Sequence, residues 1–309
     1  MSAVRLVREL REALRAAGLR GSFLVRDLHS GDELGIEPDL EFPIASLVKV
    51  PLAIATLVRI ERGELDGARQ LVVRPGRVTT PGPVGLTRFR HPARIAVDDL
   101  LYLSTSMSDG AAADALFALT PPAQVGECLR ALGLHGIAVR HLMRDLVETP
   151  AESLAPADVH LAHALAIQAG TAGRGHRLRC IRDRLDVSRA NTGSARAFMD
   201  LLLALWTPST VPRRVAERVR ELMAANVVRH RLAPDFSSDA TRWSSKTGTL
   251  LNLRHEVGVV EHADGQVIGV AALTESSVPA SSQPGAEAVM ARVARRLHDQ
   301  LRLPGPLPG

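Results

Sequence analysis

Apolar residues recur at helical spacing at the start of the chain: Val4, Val7, Leu10, Leu14 and Ala17. Arg5, Glu9, Arg11 and Glu12 fall between them, which predicts an amphipathic helix with one buried stripe. Residues 22–26 and 33–35 read as short strands around the turn formers His29, Ser30, Gly31 and Asp32. A helix is expected over 46–61, with Leu47, Val50, Ile54, Leu57 and Val58 on its apolar face. Residues 72–94 hold Pro75, Gly76, Pro81, Gly82, Pro83 and Gly85, and read as loop. Helical periodicity returns at 97–103, 111–119 and 123–132. Residues 145–195 are irregular with a helical piece near 159–168, and helices follow at 195–206 and 215–225. The pattern then changes. Residues 242–250, 255–261 and 266–274 alternate or run apolar at strand length, with Ala263, Asp264 and Gly265 as a hairpin turn. A last helix is expected over 285–301, with a Pro/Gly tail from Pro304.

This order predicts an α+β fold. Both chain ends supply strands for one antiparallel sheet, terminal helices flank it, and an all-α domain is inserted between. The expected boundaries are 1–38 with 210–309 for the sheet domain and 39–209 for the helical one. Within the latter, an enlarged loop region covers about 145–195. No internal repeat is visible.

Composition narrows the class. Residues are 46% hydrophobic and 23% charged, which excludes disordered and collagen-like chains. Cys128 and Cys180 are too few for a disulfide scaffold or a Cys-rich metal site. The apolar runs 50–57 and 267–273 fall far short of the roughly 20 residues that cross a bilayer. The charged N-terminal residues interrupt any signal-peptide core, so the expectation is a cytoplasmic protein without a membrane partner. The net charge of +5 invites a nucleic-acid reading, but aromatic residues are only 3% and no recognition motif accompanies them. No nucleic-acid partner is expected. The basic residues themselves are more telling: of 38, only Lys49 and Lys246 are lysines. A chain that otherwise uses Arg has kept Lys at two positions, and Arg cannot lose its proton to act as a base.

Lys49 stands three residues after Ser46, so both share one helix face. A serine hydroxyl becomes nucleophilic when a neighbouring base takes its proton, and a lysine can be that base once burial or nearby positive charge lowers its pKa. Ser108-Asp109-Gly110 precedes the 111–119 helical run, and Lys246-Thr247-Gly248 lies on a C-terminal strand before Thr249. S-x-x-K, S-D-N and K-T-G, in this order, form the signature of serine β-lactamases and penicillin-binding proteins. Here Gly replaces Asn in the second motif.

On these motifs the chain resembles the class A β-lactamase and penicillin-recognising serine hydrolase family, over nearly its whole length. Residues 42–51 look like the family's nucleophile segment, 95–117 like its second-motif segment, and 191–206 like the helix after its omega loop. Residues 243–250 and 255–274 look like the strands beside its active site. The resemblance implies that Ser46 is the acylated nucleophile, Lys49 its base, and Ser108 a proton relay to the leaving group. Lys246 would hold that relay and attract a substrate carboxylate. Thr247 and Thr249 would line the substrate, and the backbone N–H groups of Ser46 and Thr249 would form the oxyanion hole. Asp109 would anchor the loop. No cofactor is implied.

Two departures bear on activity. Gly110 removes a side-chain amide and widens the pocket; a hydrogen bond of that kind is worth about 1.5–3 kcal/mol. The omega region carries no recognisable Arg-x-x-Glu-x-x-x-Asn run, and Glu148 and Glu152 are the candidate deacylation bases. Arg174, Arg177, Arg179, Arg182, Arg184 and Arg189 form either a solvated face or a docking patch for an acidic substrate or carrier. His160 and His163 lack a third ligand, so no metal is expected. Tyr102 is expected in the core. The expected function is hydrolysis of a β-lactam or a small ester or amide through acyl-Ser46, in antibiotic biosynthesis or self-protection. The alternative is a covalent β-lactam binder that does not turn over.

Overall fold

The computed structural model describes residues 2–74, 84–144, 186–207, 210–250, 252–277 and 283–302. Helix α1 (Ala3–Ala16) is capped by Ser2, whose side chain accepts the Arg5 N–H. Its buried stripe is Leu6, Leu10 and Leu14, spaced four apart, while Val4 is 80% exposed. The stripe is therefore rotated from the expected one: the leucines, with the larger apolar area, take the buried side.

Strands β1 (Leu19–Asp27) and β2 (Glu33–Ile36) form a hairpin. Later come β3 (Phe42–Pro43), α2 (Lys49–Glu61), β4 (Gln70–Val73) and β5 (Ala93–Ala96). Helices α3 (Val97–Thr105), α4 (Gly110–Leu119) and α5 (Pro122–Ala131) follow, then β6 (Thr192–Gly193), α6 (Ala195–Trp206), α7 (Arg213–Ala224) and the one-turn α8 (Ala233–Phe236). Strands β7 (Thr241–Leu250), β8 (Leu253–His262) and β9 (Val267–Ser276) precede α9 (Pro284–Leu301). The main sheet has the order β2-β1-β9-β8-β7 with antiparallel neighbours, so strands from the two chain ends meet where β1 pairs with β9.

Both faces of this sheet are covered. Phe23, Val25, Ile268 and Val270 point to α1 and α9, where Leu10, Met290 and Leu297 meet them. Leu24, Val257, Val259 and Leu273 point the other way, onto the side of the sheet where Phe198 and Leu202 of α6 pack. Two buried faces explain why β8 and β9 read as near-continuous apolar runs.

Three expectations need correction. The helix expected over 46–61 opens with a 3-10 turn (Ala45–Val48), and α2 starts at Lys49. It is also buried all round from Lys49 to Val58 rather than on one face, because it runs through the middle of the core. The ends of the stretch expected as loop are strands: β4 pairs with β5, Leu71 opposite Ile95. Tyr102 is 40% exposed, not core, because it lies on the outer side of α3. Among the described residues no helix is long and apolar enough to cross a membrane. No group of three or more His, Cys, Asp or Glu among them could hold a metal. Cys128 is a free, half-buried thiol on α5. The helical piece near 159–168, Cys180, His160, His163 and the arginines from Arg174 to Arg184 lie outside the described residues.

A polar chain fastens α9 to the β8–β9 hairpin. Arg302 donates to His262 Nδ1, so His262 carries its proton on Nε2 and donates it to His298 Nε2 at 2.9 Å. His298 then donates from Nδ1 to Asp299 at 2.9 Å, which also accepts from Arg295. Asp264 pairs with Arg302, and Phe236 meets His298 edge-on. Adding a proton to either imidazole would set two N–H groups face to face. Burial pushes both imidazoles down, His262 to about 4 with help from Arg302 and His298. The unfolded chain therefore takes up protons that the folded one refuses. Stability is full above the free-histidine value of 6.5 and is lost as the pH falls from there toward about 4. Urea midpoints measured across this window should fall with pH in the wild type and fall less in His262→Gln. An equal slope in both would refute the assignment.

Candidate active site

The nucleophile turn is held from three sides. Ala45 adopts a left-handed φ of 48°, which costs a non-glycine residue energy and turns the chain sharply into Ser46. Ile44, Ala45, Leu47 and Val48 are all buried around it, so the turn cannot relax outward, while Ser46 stays partly exposed. Just before it, β3 pairs with β6, and Ile44 N–H donates to Asn191 O at 2.9 Å. On the other flank β7 packs directly against the turn. A Cβ on Gly248 would stand 2.9 Å from Ile44 O and 3.1 Å from Leu47 Cγ, so only glycine allows this approach without a shift. His255 of β8 accepts Thr274 N–H at Nδ1 (3.2 Å) and donates from Nε2 to Pro43 O (2.9 Å), tying the sheet to β3. Burial keeps this histidine near a pKa of about 4, hence neutral, as those two bonds require.

Four of the expected residues converge here. Lys49 Nζ lies 3.1 Å from Ser46 Oγ, 3.5 Å from Ser108 Oγ and 2.7 Å from Ser108 O, to which it donates. Lys246 Nζ reaches Ser108 Oγ at 2.8 Å and Thr247 O at 2.8 Å. Ser108 thus bridges the two lysines, from a backbone with a left-handed φ of 59°. Asp109 sets this corner. It caps α4 by accepting from Ala111 N (2.8 Å) and Ala112 N (3.2 Å), and its second oxygen accepts from Leu86 N. Thr247 is buried and Thr249 exposed on β7; Gly110 is buried in the first turn of α4. Glu148 and Glu152 lie outside the described residues.

Electrostatics suit the lysines to proton transfer. Lys49 is 1% exposed, and burial lowers it from 10.5 to about 8, against the opposing pull of Asp109 and Asp114. Lys246, wholly buried, is pushed well down by burial and then by Lys49 and Arg231. Two buried ammonium groups sharing one hydroxyl repel, so a proton is readily surrendered to an acceptor between them.

Four buried charged residues, Arg231, Arg254, Glu256 and Asp114, escaped the sequence reading. Arg231 donates to Gly248 O and His255 O, each at 3.0 Å, and to Thr249 Oγ1 at 2.6 Å. Its Nε donates to Glu287 at 2.8 Å, and Arg254 lies 3.5 Å from the same carboxylate. Two arginines facing one glutamate leave positive charge behind the substrate edge of β7. Glu256, fully buried, accepts from Trp243 Nε1, Ser245 Oγ and Leu232 N. A signal for Glu256 exists: an acid set in a strand-length apolar run needs buried partners. Asp114 is similarly isolated, the only acid in the apolar helix α4.

The family model described as "Beta-lactamase enzyme family" matches residues 5–301. A protein of Streptomyces cacaoi named "Beta-lactamase regulatory protein BlaB" is 68% identical, covering 96% of this chain and 97% of its own length. The chain also has the fold of a PBP-A mutant solved as an acyl-enzyme complex with penicillin G (TM-score 0.74, 19% identity, 96% of each chain). It is similarly close to a β-lactamase from Chitinophaga pinensis (TM-score 0.75, 19% identity, 96% of this chain and 100% of that one). Fold and sequence agree over the same span, and the chain belongs to the β-lactamase enzyme family.

Proposed function

We propose that Ser46 is acylated by a β-lactam, or by a small ester or amide of similar reach, and that the acyl-enzyme persists as a regulatory state. The observation that carries the first part is the line of contacts from Ser46 through Lys49 and Ser108 to Lys246. Neutral Lys49 takes the Ser46 proton as Oγ bonds to the acyl carbon. The backbone N–H groups of Ser46 and Thr249 receive the developing oxyanion. The C–N bond of a β-lactam or amide, or the C–O bond of an ester, then breaks, Ser108 gives its proton to the leaving nitrogen or oxygen, and the ammonium of Lys49 restores the Ser108 proton. Arg231 and Lys246 attract a carboxylate on the acyl donor to the Thr247–Thr249 edge.

Persistence is supported by the 68% identical relative, which is named a regulatory protein. Gly110, which offers no side-chain amide to the acyl group, fits a site not tuned for rapid clearing. Hydrolysis with turnover is the second reading; the family's description favours it, and Glu148 or Glu152 would then activate the water.

The test is intact-protein mass after mixing with a penicillin, a cephalosporin and an activated acetyl ester, with Ser46→Ala as control. An adduct that stays supports the regulatory reading. One that forms and clears with product release replaces it with hydrolysis. Equal labelling of Ser46→Ala, or no adduct with any of the three, overturns the serine assignment. The rate of adduct formation should rise about tenfold per pH unit below 8 and level off above it, because only unprotonated Lys49 can act. A flat profile from pH ~6 to ~9 would remove Lys49 from the base role.

A further inference from the structure

Ser106 closes α3 two residues before Ser108 and is fully buried. Its N–H donates to Tyr102 O at 2.9 Å, within its own helix end. Its hydroxyl and its carbonyl both reach a distant part of the chain. The last carbonyls of α7 lack the usual intrahelical donors. Ala225 N takes Glu221 O at 3.0 Å and Asn226 N takes Met223 O at 3.2 Å. Leu222 O accepts instead from Ser106 Oγ, at 2.7 Å. Ser106 O in turn accepts Val227 N at 3.0 Å. Between these two contacts stands the buried Asn226. Its amide donates to Ser245 Oγ at 3.1 Å and to Val228 O at 3.3 Å, and its Oδ1 accepts Val228 N at 3.0 Å. Ser245 precedes Lys246, whose Nζ lies 2.8 Å from Ser108 Oγ.

These contacts close a ring. Ser108 meets Lys246 directly, and again the long way round, through Ser106, the end of α7, Asn226 and Ser245. The direct bond joins two groups of the proton relay; the long path runs through groups outside it. We propose that Ser106 is a positioning residue of this site, which fixes the spacing of the Ser108 hydroxyl and Lys246 from outside the relay. It acts through Ser108 rather than on the acyl donor. Ser108 needs such support, because its left-handed φ of 59° costs a serine energy and the corner would relax if its flanks were free. Asp109 holds the corner from the α4 side, through Leu86 N, Ala111 N and Ala112 N. Ser106 holds it from the α3 side. Without its hydroxyl, Leu222 O is a buried acceptor with no donor, and the end of α7 is free to shift toward another.

The consequence for acylation rests on the relay role given to Ser108 above. An amide nitrogen needs that proton to depart, whereas the phenolate of an activated ester leaves without it. Adduct formation at Ser46 is therefore timed with a penicillin and with 4-nitrophenyl acetate. In Ser106→Ala it should slow by about tenfold or more with the penicillin and by less than about twofold with the ester. Ser106→Thr, which keeps the donor, should bring the penicillin rate back to within about threefold of the wild type. Added to Ser108→Ala, the Ser106→Ala change should cost nothing further, since the two residues act as one unit. Equal slowing with both compounds marks a general structural loss and overturns the proposal. An unchanged penicillin rate, or a full second loss in the double variant, does the same. Ser108→Ala alone keeps the two readings apart: if it slows both compounds alike, the relay role fails. A measurement without substrate then decides on Ser106 by itself. The chain has two lysines, so protein carrying 13C at lysine Cε gives two side-chain signals, assigned with Lys246→Arg. Ser106→Ala should move the Lys246 signal in the same direction as Ser108→Ala and at least half as far, and Ser106→Thr should leave it in place. A Lys246 signal unmoved by Ser106→Ala overturns the proposal. Should Ser106→Ala not fold, Ser106→Cys, a weaker donor of similar shape, takes its place, with smaller changes of the same sign expected and their absence equally decisive.

Discussion

Lys49→Arg is expected to slow adduct formation at Ser46 by at least about a thousandfold, from pH ~6 to ~10. The guanidinium keeps the positive charge and can still donate to Ser108 O, but it cannot accept the Ser46 proton. Lys49 is the one lysine whose Nζ faces Ser46 Oγ, at 3.1 Å, and burial already brings it to about 8. Arginine is larger than the site was built for, so a stability loss of about 1–3 kcal/mol accompanies the change. For that reason the rate is compared below the melting range of the variant, and with Lys49→Met, which removes the charge without enlarging the side chain. Both variants should be equally inert. If Lys49→Arg still forms adduct at a rate near that of the wild type, charge rather than proton transfer is what position 49 supplies. The proton would then have to leave through Ser108 toward Lys246, which is 2.8 Å from its hydroxyl.

The same pair of lysines shows why much of this site was legible in the sequence. Chemistry that needs a removable proton cannot use Arg, so in a chain with two lysines among 38 basic residues both stand out. The three motifs lie within single local elements, a turn, a helix cap and a strand, and local elements keep their spacing in any fold. The long strands were legible for a similar reason, since β7, β8 and β9 are each ten residues and meet the next across a short turn. Interactions between distant segments were not legible. β3 and β6 are two-residue strands about 150 residues apart, and no pattern of that length can be read. β4 and β5 hid because the Pro- and Gly-rich chain between them reads as loop to its ends. Arg231, in the polar stretch Arg229-His230-Arg231, looked like any surface arginine; its burial follows from partners on β7, β8 and α9. Glu256 and Asp114 were legible in principle as acids in apolar runs, but their roles depend on donors that arrive only with the tertiary fold.

Glu256 carries the largest effect expected on stability, and Glu256→Ala should cost about 3–5 kcal/mol. Three donors converge on its fully buried carboxylate: Ser245 Oγ at 2.7 Å, Leu232 N at 2.8 Å and Trp243 Nε1 at 3.0 Å. The serine can rotate to another acceptor, but the indole and the backbone N–H cannot, and each buried unpaired donor costs about 1–3 kcal/mol. The cavity left by the side chain adds to this. Glu256→Gln separates the contributions. It fills the volume and can still accept at one oxygen, but it points an NH2 group at one of the donors, so the loss should be about half as large. Urea unfolding of the two variants beside the wild type reads both values. A loss below about 1 kcal/mol for Glu256→Ala would mean that water replaces the carboxylate, and that this junction of α8, β7 and β8 is not closed. The junction matters for the site because Ser245 precedes Lys246 on β7 and accepts from Asn226 at 3.1 Å. A carboxylate that fixes Ser245 from one side of the strand steadies the backbone from which Lys246 reaches Ser108 on the other. Adduct formation in Glu256→Gln should therefore slow only modestly, by about tenfold or less, while the protein melts earlier. The opposite ranking, an inert but fully stable variant, would place Glu256 in the chemistry rather than in the frame that supports it.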